Sequence, residues 1–476
     1  MADERSRLFS GERPTADHPR VDAPGAQVDD QFVIRRTSLW LRNKEDPMSS
    51  TTGGSVRLSQ RREWASRQAI GFLMAQAVDN PQVLSLAAGL VDPLSLPIAE
   101  TRQAFEHLWS DPVRARHALQ YGTTAGSIQL RHRVAEHFAR LEGVEPSQLG
   151  LRPEQFVLTT GSQQLLSLVG EILVDPGDIV LVAAPTYFAY LGTLHGLGAR
   201  LVPIATDAGG MQLDALEHAF SQLHRQGDLS RVRFVYSVSY YENPSGISLA
   251  AERRQGLVDL VRRWSREHRI FVLEDAAYRE LRYDGPELPS LWSFDPSRQH
   301  VIYAQTFSKS FSPGLRVGCG ILPEELIRPV CDRKGNEDFG SSSFGQHLLA
   351  EVFERGLYQP HVEQVQQAYR TKRDAMLAAA ERYFGDLPGV TWVRPEGGLY
   401  VWMTLPEATA TGFDSPLFRV AVNEEQVMYV PGELCYAVTD AGVPRNEMRL
   451  SFGVQDPTGI EESMRRLANA VRKILP

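Results

Sequence analysis

In the middle of the chain, short β-branched apolar runs alternate with amphipathic stretches. This constrains the fold more than any other feature of the sequence. FVLTT (156–160), IVLVAAP (179–185), RLVPIAT (200–206), RFVYSVS (233–239), IFVLEDA (270–276) and VIYAQTF (301–307) read as strands. Between several of them lie segments with helical spacing, such as SQQLLSLVGEILV and TYFAYLGTLHGLG. Strands apolar on both faces and separated by helices predict a mainly parallel sheet covered on both sides, an α/β architecture. From about 345 to 385 the pattern turns helical. PEGGLYVWMTL (395–405) and EMRLSFG (447–453) then read as strands, and GIEESMRRLANAVRKIL as a closing helix. A smaller α+β part is therefore expected after the large one.

The N-terminal region differs. Residues 1–55 are charged, rich in Gly, Pro, Asp and Ser, and weakly periodic, so a disordered extension is expected. Met48 offers a second plausible start. From about 56 to 80, LSQRREWASRQAIGFLMAQAV has helical spacing. A net charge of −8 gives no electrostatic footprint for nucleic acid. No apolar run approaches the length of a membrane span, and no signal-peptide core opens the chain. The 3 cysteines, Cys319, Cys331 and Cys435, lack metal-ligand spacing, so a reduced, cytoplasmic setting without metal is expected.

In a parallel α/β sheet, ligands gather at the carboxyl ends of the strands. Gly161-Ser162-Gln163 follows the first strand, at a helix start where free N–H groups favour an anion. Pro185-Thr186-Tyr187 follows the second. Further strand ends carry Asn243 in NPSG, Asp275 with Tyr278, and the stretch Thr306 to Arg316 with Lys309 inside it. Together they offer an anion cradle, an aromatic ring, an amide, a carboxylate, a phenol, a lysine and an arginine. That set suits a flat aromatic aldehyde bearing a phosphate, a phenolic oxygen and a basic ring nitrogen, which is pyridoxal 5′-phosphate.

The motifs LQYG, TTGSQQ, PTY, NPSG, EDAAY, TFSKSFSPGLR, EGGLYVW and MRLSFG occur in that order over about residues 56–476. In this the chain resembles the fold-type I pyridoxal-phosphate enzymes, and within them the class I/II aminotransferases of the kynurenine/2-aminoadipate group. The resemblance implies a large cofactor-binding domain over 111–330 with a seven-stranded type of sheet. It implies a smaller domain built from 56–110, which includes an active-site helix, and from 331–476. Lys309 would form the Schiff base and then move the substrate Cα proton. Asp275 would keep the pyridine nitrogen protonated, and Tyr278 and Asn243 would hydrogen-bond the phenolic oxygen. Ser162, Gln163, Thr306 and Arg316 would hold the phosphate, and Tyr187 would stack on the ring. Arg449 would grip the substrate α-carboxylate, with the Gly89 backbone and Asn243 beside it. Tyr121 would reach the phosphate of a neighbouring subunit, so a homodimer with a shared active site is implied. The partners would be an amino acid and a 2-oxo acid.

The chain departs from the pattern at some positions. Ser239 stands where many relatives carry proline, and NPSG replaces NPTG. Gly71 follows Ile70 where the 2-aminoadipate and kynurenine enzymes place an arginine, and Arg67 lies one turn away. An aromatic or long aliphatic donor is therefore expected rather than a dicarboxylic one, with Tyr187, Tyr190, Tyr240 and Tyr241 leaving room for it. Lys309 and Asp275 would equally serve an oxidase, decarboxylase, lyase or cyclase on the same scaffold. A regulator of the winged-helix type would need a basic N-terminal module, for which residues 1–55 are too short and too acidic. Intact Lys309, Asp275, Tyr278 and Arg449 argue against a homologue that has lost activity.

Overall fold

The computed structural model describes residues 57–65, 82–440 and 442–475. The extension, Met48 and the Arg67–Gly71 segment lie outside these residues. The main sheet uses β1 (Phe156–Thr159), β2 (Ile179–Ala184), β3 (Arg200–Asp207), β4 (Gly210–Met211), β5 (Val232–Val238), β6 (Phe271–Asp275), β7 (Val301–Thr306) and β8 (Gly318–Ile321). Their order across the sheet is β1-β8-β7-β6-β5-β2-β3-β4. β3, β2, β5, β6 and β7 pair in parallel, while β8 runs antiparallel between β1 and β7. The sheet thus has seven strands plus a two-residue edge strand, β4, which turns back on β3. All residues of β1, β6, β7 and β8 are buried, as a sheet covered on both faces requires.

Helix α1 (Ser162–Leu173) shows how a covering element forms. Leu165, Leu166, Leu168 and Val169 bury one side of it. Gly161 precedes it at φ 75°, a left-handed conformation that glycine adopts without steric cost. β8 passes directly beneath this helix start. A Cβ on Gly318 would lie 2.6 Å from the Gly161 carbonyl carbon and 2.7 Å from the Ser162 nitrogen.

A second, antiparallel sheet carries β9 (Thr391–Trp392), β10 (Tyr400–Thr404), β11 (Val430–Pro431) and β12 (Glu447–Ser451), ordered β9-β10-β12-β11. Arg449 on β12 pairs in register with Trp402 and Val430. The long helix α2 (Tyr358–Phe384) packs against the closing helix α3 (Pro457–Ile474). α3 starts at Asp456, whose carboxylate accepts the Gly459 N–H at 2.7 Å. It buries Ile460, Met464, Leu467 and Val471 at helical spacing. Leu84–Ser85 pairs in parallel with Val427–Met428 as a separate two-stranded sheet, and the Leu86 carbonyl just beyond accepts the Ser451 N–H of β12 at 2.7 Å, which ties the segment that bears Gly89 to the second sheet.

Candidate active site

A cavity of about 190 Å³ opens at the carboxyl ends of β1, β5, β6 and β7. Ser162, Gln163, Tyr187, Asn243, Asp275, Tyr278, Thr306, Lys309 and Arg316 all line it. At one end, helix α1 begins without a side-chain cap, so its first N–H groups are free for an external acceptor. Arg316, itself left-handed at φ 52°, donates from Nη2 to the Thr160 carbonyl at 3.1 Å. The Ser308 N–H and the Thr306 hydroxyl interlock at 3.2 and 2.9 Å across residues 306 and 308. Arg316 has no carboxylate partner among the described residues. Uncapped amides, two hydroxyls and an unneutralised guanidinium are the donor set a phosphate dianion needs.

At the other end Asp275 is buried. Its Oδ2 accepts the Tyr236 hydroxyl at 3.0 Å and its Oδ1 accepts the Ala277 N–H at 3.1 Å. Burial pushes its pKa up to about 6, and these two hydrogen bonds restrain the rise. Without a cationic partner among the described residues, this carboxylate suits a ligand that brings a positive N–H to it. The two ends together match the charge pattern of pyridoxal phosphate.

Lys309 is half-buried, and its Nζ donates to the Gly89 carbonyl at 2.8 Å. Burial is the main reason its pKa falls below the usual lysine value, and the positive Arg449 and Arg316 add to the fall. The Tyr278 and Tyr400 hydroxyls lie 3.2 Å apart. Arg449 is buried, donating from Nη1 to Asn243 Oδ1 at 2.8 Å and from Nη2 to the Ala87 carbonyl at 2.7 Å. Its guanidinium lies 4.3 Å from the Tyr400 ring centroid and 5.5 Å from that of Phe188. Its Nε has no hydrogen-bond partner. A buried donor left open is costly, and an anionic ligand arriving here would satisfy it. A Cβ on Gly89 would sit 2.8 Å from the Tyr400 hydroxyl, so only glycine fits that close approach.

Tyr121 stands apart. It is 83% exposed and lines a different hollow, with His117, Gln129 and His347. The expectation that Tyr190, Tyr240 and Tyr241 leave room for the substrate does not hold. Tyr190 is buried against Tyr236, Tyr240 hydrogen-bonds the Leu288 carbonyl beneath Arg254, and Tyr241 borders a separate cavity. These rings are consumed by packing; of the four, only Tyr187 lines the site.

Three residues at the site, Ser308, Tyr236 and Tyr400, are not among those singled out from the sequence. Ser308 carried a signal, since it sits beside Lys309 and two residues after Thr306 on the same turn. Tyr236 and Tyr400 carried none, because a strand tyrosine reads as core until its hydroxyl has a partner.

The family model for aminotransferase class I and II matches residues 81–467. The chain is 34% identical over 400 residues to aromatic-amino-acid aminotransferase 1 of Thermococcus litoralis, covering 84% of this chain and 90% of that protein. It is also 34% identical, over 405 residues, to the 2-aminoadipate transaminase of Thermus thermophilus, covering 84% and 93%. Among solved structures, the multiple substrate aminotransferase of Thermococcus profundus superposes with a TM-score of 0.78 at 33% identity, over 87% of this chain and 97% of that one.

Proposed function

The chain belongs to the class I and II aminotransferases, and we propose how its own residues divide the work of that reaction. It is a pyridoxal-phosphate-dependent transaminase, moving an amino group from an amino acid to a 2-oxo acid. When bound, the cofactor supplies an electron sink for negative charge at the substrate Cα. Lys309 holds the cofactor and takes and returns the proton at Cα. Burial lowers its pKa, which favours the neutral amine that a base requires. Asp275 holds the proton on the ring nitrogen through a buried, otherwise unneutralised carboxylate. Tyr278 and Asn243 donate to the phenolic oxygen. The α1 amides of Ser162 and Gln163, with Thr306, Ser308 and Arg316, bind the phosphate, and Tyr187 stacks on the ring.

Arg449 orients the substrate by its α-carboxylate, using the open Nε donor. Gly89, whose missing side chain lets the Tyr400 hydroxyl come close, brings its backbone beside Lys309. The observation that carries this reading is the convergence of Lys309, Asp275 and Arg316 on one cavity, with Arg449 bonded to a residue of its lining. The donor is proposed to be an L-amino acid with a large, aromatic side chain. This rests on the name of the Thermococcus litoralis relative, on Tyr187 in the cavity lining and on the Phe188 and Tyr400 rings beside Arg449. A homodimer in a reduced, cytoplasmic setting is proposed as well. Support comes from the exposed Tyr121, from exposed Leu94, Ile98 and Leu119, and from the free cysteines.

The test is spectroscopic. The purified holoenzyme is mixed with L-phenylalanine, L-kynurenine, L-2-aminoadipate and L-leucine in turn, without an oxo acid. Loss of the visible cofactor band with the aromatic donors first, and its return on adding 2-oxoglutarate, is expected. Lys309→Ala is expected to abolish turnover and borohydride-fixed labelling. A preference for L-2-aminoadipate would overturn the aromatic assignment, and labelling that survives in Lys309→Ala would overturn the role of that lysine.

A further inference from the structure

The loop Leu86–Asp92 brings the Gly89 carbonyl to Lys309. Its start is fixed by the second sheet: the Leu86 carbonyl accepts the Ser451 N–H at 2.7 Å, and the Ala87 carbonyl accepts Arg449. Its far end is fixed by a buried polar cluster outside the cavity. The Asp92 N–H donates to the Tyr369 hydroxyl at 2.8 Å. Asp92 Oδ1 lies 3.1 Å from Lys372 Nζ and accepts the Leu94 N–H at 3.1 Å, while Oδ2 accepts the Ser95 hydroxyl at 2.7 Å. Asp92, Tyr369 and Lys372 are 4%, 1% and 6% exposed, so the pair is removed from water. Lys372 also reaches the Val454 carbonyl at 3.5 Å, just past the strand that bears Arg449. One ammonium group therefore joins the segments on both sides of the carboxylate site.

We infer that Asp92, Lys372 and Tyr369 form an anchor that positions the Gly89 backbone against Lys309 and sets the affinity for the substrate carboxylate. None of the three touches the reacting atoms, so they are positioning residues. A buried ion pair is a poor source of net stability, because desolvation offsets the attraction. Its geometric effect is different: with both ends of the loop tied, the residues between them keep one path. Breaking the pair leaves a lone buried charge and frees the Asp92 end of the loop. The inference rests on the proposed role of Arg449 and Gly89 at the carboxylate, and the experiment separates the two.

The holoenzyme variants Asp92→Asn, Lys372→Met, their double variant and Arg449→Lys are assayed with the best donor from the panel above. Binding of 3-phenylpropionate, a carboxylate without an amine, is measured by calorimetry on the same proteins. Asp92→Asn and Lys372→Met are each expected to raise KM and the 3-phenylpropionate Kd by roughly tenfold, as a misplaced binding group does. kcat is expected to change by less than about twofold, because no group at the reacting atoms is removed. The double variant is expected to show no further rise, since each single change already frees the loop. Tyr369→Phe keeps the fold's packing while removing one tie, and a smaller rise in KM is expected from it. If Arg449→Lys raises KM and Kd while Asp92→Asn and Lys372→Met only lower the melting temperature, the anchor is structural and the inference fails. If Arg449→Lys leaves both constants unchanged, the carboxylate site itself is misassigned and the inference falls with it.

Discussion

Beside Asn243 sits a carboxyl group that the proposed mechanism does not use. Glu242 is buried, its Oε2 accepts the Ser245 hydroxyl at 3.1 Å, and its Oε1 has no hydrogen-bond partner. Burial is the main cause of a pKa pushed up to about 8, with the charge of Asp275 adding to it. At neutral pH the native state therefore holds a proton that the unfolded chain releases. The sign follows directly: where the native state binds more protons, stability falls as pH rises. Glu242's contribution is full below its ordinary value near 4.5, declines between there and about 8, and is level above. Glu242→Gln keeps the shape and removes the titration. Urea unfolding at pH 5, 6, 7 and 8 is expected to show wild type losing stability faster than the variant. The excess slope is at most about 1.4 kcal/mol per pH unit, the limit for one proton. Parallel curves would mean that Glu242 is ionised in the folded protein.

At the scale of elements, the anion cradle depends on how closely β8 lies under the start of α1. Gly318→Ala would place a methyl group 2.6 Å from the Gly161 carbonyl carbon, where backbone rather than a flexible side chain must move. Overpacking of this kind costs about 1–3 kcal/mol, and here it displaces the very N–H groups proposed to bind the phosphate. The expected outcome is a cofactor Kd raised about tenfold or more in a fluorescence titration, with donor preference unchanged. An unchanged Kd would place the phosphate elsewhere. β8 also marks the limit of what the sequence discloses. β1, β2, β3, β5, β6 and β7 were legible because each is a β-branched run bounded by loop residues, and Lys309, Asp275 and Arg316 were legible because they follow strand ends. Gly318-Cys319-Gly320-Ile321 lacks that signature. Its glycines are needed for close approach, with a Cβ on Gly320 meeting Leu165 at 2.5 Å, and that requirement belongs to the packed molecule. Tyr400 and Tyr236 were hidden for a related reason: their hydroxyl partners lie on distant segments, so no local pattern records them.

For the whole molecule, the question is why Tyr121 carries the family motif yet lies outside the cavity that motif serves. Its 83% exposure, beside apolar residues such as Leu119 at 69%, leaves a surface that a second copy of the chain would cover. In a twofold dimer each Tyr121 would complete the other subunit's site, so the two defects Lys309→Ala and Tyr121→Ala can be separated onto different chains. Each homodimer would then be impaired at both of its sites. A mixed dimer would hold one site with both defects and one with neither. Unfolding and refolding an equal mixture of the variants should therefore recover activity that neither has alone. About a quarter of the wild-type rate is expected, because half the dimers are mixed and half of their sites are intact. Light scattering on the same samples checks the assembly. A dimer whose mixture gives only the sum of the separate activities would mean that each site is built within one chain, and a monomer with full activity would remove the shared site altogether. Recovery near a quarter would instead tie cofactor binding to assembly, so that diluting the protein without added cofactor should lower activity and dimer fraction together.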